Sequence, residues 1–380
     1  MPKSPSINNT LSQCRNKFYS VYHTKIAPIF RSFEKKRRAK LSELIVIEII
    51  TVGILTFLIY DFIQRSRNCD SGGAIITVEI ICIIVGIILG IWLQYSYNSK
   101  FASELKHACM FDILKLFGDV HWHDKANLIT DEEMDRSFLF ATYNTREACD
   151  AFNGSFKGVD FKICETHLQR ITGSGKNRRV VEVFKGVVVN FKANKTIKNT
   201  TIIASKGDYQ TKVGSKFAVL GILGYIAYYM LEDFLKHGFN ITGLIIWLGI
   251  ALCVIIGYFA VKLFTGKNQE SLQEIKLEDP EFTKKYQAFS SDQIEGRYLI
   301  TPAFMERFQN LQTSFGARKA KCSFYGDNLM FAIFTNKNLF EIGNLFHSLE
   351  DPKQMEVFFN ELTSIFLLVD YFKLDEKTGI

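Results

Sequence analysis

The sequence predicts α-helical transmembrane hairpins joined to an α+β cytoplasmic domain with an antiparallel sheet. Three observations carry that prediction. Long apolar runs come in close pairs, within 44–95 and again within 216–264. Lys and Arg gather on one side of those runs, as they do on the cytoplasmic side of membrane proteins. The remaining segments alternate with the period-2 pattern of half-buried strands, between stretches that carry helix-start signals. Composition agrees. The 380 residues are 47% hydrophobic, with 34 Phe and only 6 Pro, which excludes a disordered or collagen-like chain. The formal charge of +7 is small for this length, so nucleic acid is not an expected partner. None of the 8 Cys form a CxxC pair. They read as reduced structural thiols rather than a disulfide framework or a zinc ribbon.

Residues 1–43 form a basic N-terminal segment, with 10 Lys/Arg against 2 acids. Lys35, Lys36, Arg37, Arg38 and Lys40 stand directly before the first apolar run. That cluster suits anionic lipid headgroups, and a cytoplasmic flank explains it equally well. The first hairpin, 44–95, pairs the runs 44–63 and 74–95 across a short polar loop. Twenty residues span about 30 Å as a helix, the thickness of the hydrocarbon core. Glu48 and Glu79 lie inside these runs, where a charge is costly and frequently functional. In an antiparallel hairpin they sit near opposite ends, so each reads as reaching for its own interface. An ion or proton path is the functional alternative.

The cytoplasmic segment 96–215 reads helix first, then strands. Lys100 to Phe117 has helical spacing of its apolar residues, and Thr130-Asp131-Glu132-Glu133 is a capping box for a short helix. Val159, Phe161 and Ile163 alternate with polar residues, and Val180–Phe191 is a β-branched run. Gly173-Ser174-Gly175-Lys176 lacks phosphate-loop spacing and reads as the turn between two strands. The second hairpin, 216–264, pairs 217–235 with 241–261. Its first member has 15 uninterrupted apolar residues after Lys216, so whether it crosses fully or is re-entrant stays open.

The last segment, 265–380, continues as α+β. Asp279-Pro280-Glu281 opens a short helix expected to run through Phe289, and Thr301-Pro302 opens another. Lys319–Tyr325 and Leu329–Phe334, joined by Gly326-Asp327-Asn328, read as a hairpin. Asp351-Pro352 starts a final amphipathic helix. The charge pattern puts both termini and both soluble segments in the cytoplasm.

Four stretches carry a family resemblance: VVEVFKGVVVNFKANK (180–195), KLEDPEF (276–282), SSDQIEGRYLITPAFMERF (290–308) and YGDNLMFAI (325–333). Together they resemble the bacterial domain-of-unknown-function family 3137, over roughly residues 97–380. The resemblance implies a transmembrane hairpin before a cytoplasmic α+β domain, in a bacterial inner membrane. It implies no activity, so no catalytic residue is carried over. The chain departs from the family at 214–265, where the resemblance implies a short polar connection and this sequence has a second apolar hairpin.

Candidate chemistry is sparse. Asp292, Glu295 and Arg297 form a polar group inside the densest stretch of resemblance. They are weak catalytic candidates against the simpler reading of helix-start charge and an ion pair. His121 and His123 would share one face of a strand, a weak metal pair without a third ligand at motif spacing. The expected function is a membrane-anchored scaffold or interaction module that needs no cofactor. Its expected partners are membrane lipid and another membrane or envelope protein, with homo-oligomerisation left open. The alternatives are an enzyme with a cytoplasmic polar site and a small transporter using Glu48 and Glu79.

Overall fold

The computed structural model describes residues 15–67 (except 17), 73–208 and 272–372 (except 315, 316 and 318), plus seven isolated positions between 225 and 256. The expected second hairpin therefore lies outside the described residues, but for those isolated positions. A π-helical turn, Tyr22–Ile26, leads straight into α1 (Ala27–Arg67). The antiparallel partner of α1 is α2 (Gly73–Leu114). The expected boundaries at 43/44 and 95/96 thus fall inside unbroken helices. Nothing in either sequence stops them there, because no Gly or Pro stands at the junctions and the apolar face changes without a gap. Both helices are long and apolar enough to cross a membrane. They close on each other through small residues of α2: Gly86 faces Leu55, and Gly90 faces Glu48.

Beyond the apolar stretch the same helices enter a protein core. Phe18, Ile26, Phe30, Phe101, Leu105, Ile113 and Phe117 are all buried in it. The sheet that supplies the other side of that core has seven strands. They are β1 (Asp119–Asp124), β2 (Thr145–Phe156), β3 (Val159–Thr172), β4 (Arg179–Ser205), β5 (Gln273–Ile275), β6 (Tyr286–Ser290) and β7 (Lys319–Phe334). Every pairing is antiparallel, in the order β1-β2-β3-β4-β6-β5, with β7 on the other edge of β4. β4 is the spine. Its first half pairs with β3, its end pairs with β6, and β7 follows it along most of its length.

Two expectations need correction here. Residues 319–334 are one strand, not a hairpin, since both halves pair with β4. The register moves from Lys192↔Asn328 to Ile197↔Gly326 and Thr201↔Phe324. The extra residues lie on β4, and Gly326, at φ +58°, bends β7 around this bulge. The short helix opened by Asp279 ends at Lys285, and Tyr286–Ser290 continues as β6 instead. Pairing with β4 and β5 overrides the weak helical pattern there.

The other helices are α3 (Asp131–Ser137), α4 (Pro280–Lys285), α5 (Gln293–Leu299), α6 (Pro302–Ser314) and α7 (Lys353–Tyr371). The capping box of Thr130 and Glu133 is formed as expected. One face of the sheet carries the larger core, built with α1, α2, α6 and α7. The other carries a smaller one, around Ile129, Met134 and Leu139. α7 buries Met355, Phe358, Phe359, Leu362 and Phe366, the stripe its spacing predicts. The described cysteines are all free.

Candidate functional site

Residues 335–352 join β7 to α7 without helix or strand. Irregular segments of this length inside a domain are uncommon and usually functional. This one is a strap laid across the helical stalk, and side chains hold its backbone. From α1, Glu34 accepts a hydrogen bond from Leu349 N (3.1 Å), while Arg37 donates to Leu345 O (3.0 Å). From α2, Asn98 accepts from Leu345 N (2.9 Å). From β3, Glu165 accepts from Leu339 N (3.0 Å), and from α7, Glu361 accepts from Phe340 N (2.8 Å). Phe340 sits in the left-handed region at φ 61°, with its ring buried against Phe152 and Phe358. Gly343 lets the strap touch α2, since a Cβ there would stand 2.8 Å from Leu105. The strap thereby links both long helices to the sheet.

Electrostatics divide along its length. At the α1 end, Arg37 grips Glu34 with two hydrogen bonds of 2.8 Å, and Arg38 adds one of 2.9 Å. The guanidinium of Arg37 above all holds the Glu34 carboxyl down at about 2. At the sheet end, burial pushes Glu165 up to about 8, reinforced by nearby Asp150 and Glu361. Burial likewise raises Glu361. Asp150 is itself buried, paired with Lys106 of α2 and with Trp122 Nε1 at 2.8 Å. Glu165 is thus a carboxyl able to hold or release a proton near neutrality.

The residues nominated from sequence do not converge on this junction, apart from those of the basic cluster. Asp292 caps α5, accepting from Ile294 N (2.7 Å) and Glu295 N (3.1 Å). Glu295 accepts from Lys198 N (3.1 Å) and Asn199 N (2.9 Å), pinning the end of the β4 bulge. Arg297 is exposed on α5. His121 and His123 are exposed on the edge strand β1, beside Asp119 (3.7 Å) and Asn153 (2.8 Å) respectively. No group of three metal-ligating side chains exists among the described residues. In the basic cluster, Arg37 is buried rather than exposed, turned inward by Glu34 and the strap. Arg38 bridges Glu34 and Glu350, and Lys40 pairs with Glu104 at 2.9 Å. Lys36 stands 4.0 Å from Glu104, and Lys35 is exposed.

Sequence reasoning missed Glu165 and Glu361. Each adjoins an apolar residue on one side only, in Cys164-Glu165-Thr166 and Asn360-Glu361-Leu362, so the sequence carried little signal for either.

Fold and junction define a class: a sheet domain carried on two long apolar helices and clasped to them by an irregular strap. The family described as "Protein of unknown function (DUF3137)" matches residues 182–374, from β4 to just past the described end of α7. The chain belongs to that family. The match is narrower than the resemblance over 97–380, leaving the helical stalk and β1–β3 outside it. No curated protein matches the chain, and no solved structure does.

Proposed function

We propose that the protein is a membrane-anchored interaction module, held at a bacterial inner membrane as a multi-pass protein with both termini cytoplasmic. Its partner on this reading is another membrane or envelope protein. One observation carries the reading: α1 and α2 run without a break from an outward-facing apolar belt into the domain core. Ile49, Phe57 and Ile88 are 66%, 68% and 60% exposed. An apolar surface of that extent on all sides suits lipid and not water. Trp92 and Tyr95 stand on the strap side of the belt, as aromatic residues do at a membrane interface. A domain coupled to its anchor by rigid helices and a strap, with its nominated acids engaged by backbone N–H groups, favours binding over catalysis. The enzyme alternative finds no support in Asp292 or Glu295.

Reporter fusions test the anchor. Fusions within Gln64–Gly73 and within Glu232–Asn240 are expected to report outside, and fusions at Lys206 and Ile380 inside. An outside signal at Ile380 overturns the arrangement. For the partner, the full chain purified in mild detergent is expected to enrich membrane or envelope proteins over a control carrying the first hairpin alone. Equal recovery by the control overturns the module reading.

A further inference from the structure

A groove of about 440 Å³ runs along α1 where the helix leaves the domain. It is a shallow groove lined by Ile45, Ile49 and Val52 of α1, Gln94 of α2 and Phe346 of the strap. Its walls are almost wholly apolar, with one charged exception. Glu48 lines the groove, and its Oε1 is shut off from solvent with no hydrogen-bond partner among the described residues. Gly90 makes room for it, since a Cβ there would stand 3.7–3.8 Å from the carboxylate oxygens. Two cations on the domain side of α1 are engaged elsewhere. Arg38 is held by Glu34 and Glu350, and Lys40 by Glu104.

A buried carboxylate oxygen without a donor is costly, so the occupant should bring one. Depth narrows the occupant further. Glu48 lies one helical turn into the run that begins at Leu44. Helical side chains lean toward the N-terminus, so its carboxyl reaches back toward the cytoplasmic edge of the belt, where headgroups lie. Beyond it the lining is Ile49 and Val52, about one apolar turn that continues into the exposed apolar belt. We propose that this groove holds one phospholipid with a primary-amine headgroup. Its chain starts along Ile49 and Val52, and its ammonium donates to Glu48. Charge complementarity selects this occupant: an anionic headgroup would meet the carboxylate with like charge, and a choline headgroup has no N–H to donate. The inference rests on the membrane reading above.

The test uses the full chain, extracted from membranes and reconstituted in vesicles of equal parts phosphatidylethanolamine, phosphatidylcholine and phosphatidylglycerol with matched chains. After gentle re-extraction, retained lipid per protein is measured by mass spectrometry. Wild type is expected to retain phosphatidylethanolamine over phosphatidylcholine about tenfold, the size of one charge-assisted hydrogen bond. Glu48→Leu and Glu48→Gln are expected to lose that preference, and Glu43→Gln, outside the groove, to keep it. Glu48→Gln preserves shape, and an unchanged domain melt in each variant confirms folding. Equal retention of the three lipids by wild type, or a preference that survives both Glu48 changes, overturns the proposal. Recovery of wild type in the soluble fraction before any extraction overturns the membrane reading instead.

Discussion

The two halves of α1 obey opposite rules on one continuous backbone. Below Leu44, Phe30 is buried while Lys35 and Lys36 face outward. Above it, Ile45, Ile49 and Phe57 face outward, while Glu48 turns partly inward. The lower half is an amphipathic helix of a water-soluble core, and the upper half is apolar all round. Hydropathy read along the chain locates the change near Leu44 but not the continuity across it. What differs is the exposure of the apolar side chains, not the local structure.

Substitutions in the two halves should therefore separate widely. Phe101→Ala removes a fully buried ring that packs on Phe33 of the lower half. It is expected to lower domain stability by about 3–5 kcal/mol, whereas Ile49→Ala on the outer belt should change it by less than about 0.5 kcal/mol. Thermal melts in mild detergent compare them, and equal effects would erase the distinction.

Arg37→Ala probes the clasp on the lower half. It leaves Glu34 buried with fewer partners, at an expected cost of about 2–3 kcal/mol. Glu34 titrates at about 2 in the fold, below its unfolded value near ~4.3. Its contribution is therefore present above the unfolded value and lost as pH falls through about 2. In Arg37→Ala that acid limb should flatten, measured as melting between pH 6 and 2.

At the sheet end of the strap the sign reverses. Glu165 is held up to about 8, so the native state keeps a proton that the unfolded chain releases near pH ~4.3. Stability from this group is full below the unfolded value and falls as pH rises through 8. Glu165→Gln removes that fall and should exceed wild type by about 1 kcal/mol or more at pH 9. A wild-type melt that does not change between pH 6 and 9 would contradict it.

Modest effects are expected on α5, away from the stalk. Asp292→Ala should cost about 1 kcal/mol as a lost cap, and Glu295→Ala about 1–2 kcal/mol as two backbone donors lose their acceptor. Arg297→Ala should stay within about 0.5 kcal/mol. Chemical denaturation ranks the three, and a dominant Arg297 effect would reopen a polar site there.

Local chemistry was legible and tertiary chemistry was not. Thr130, Asp279-Pro280 and Asp351-Pro352 all precede helices as expected, because a cap is decided within four residues. Gly326-Asp327-Asn328 misled for the same reason. A left-handed glycine serves a turn and a bulge alike, and only β4, more than a hundred residues earlier, decides between them. The pairing of Glu34 with Arg37 is three residues apart and helical, so its geometry was readable, yet its burial came from the strap. Asp292 and Glu295 were seen as neighbours on a helix. That Glu295 reaches the backbone of Lys198 and Asn199 needed the fold.

The unbroken stalk also has a mechanical consequence. From Ala27 to Leu44 the helix extends about 25 Å past the belt at 1.5 Å per residue, with no hinge at the junction. In the proposed membrane arrangement it is a lever whose fulcrum is the bilayer. A hairpin that tilts by about 10° to match a thinner or thicker membrane swings the lever's far end by about 4 Å. The strap, bonded to both helices and to β3, links that displacement to the sheet. In that arrangement, membrane thickness becomes a positional variable of the domain's surface.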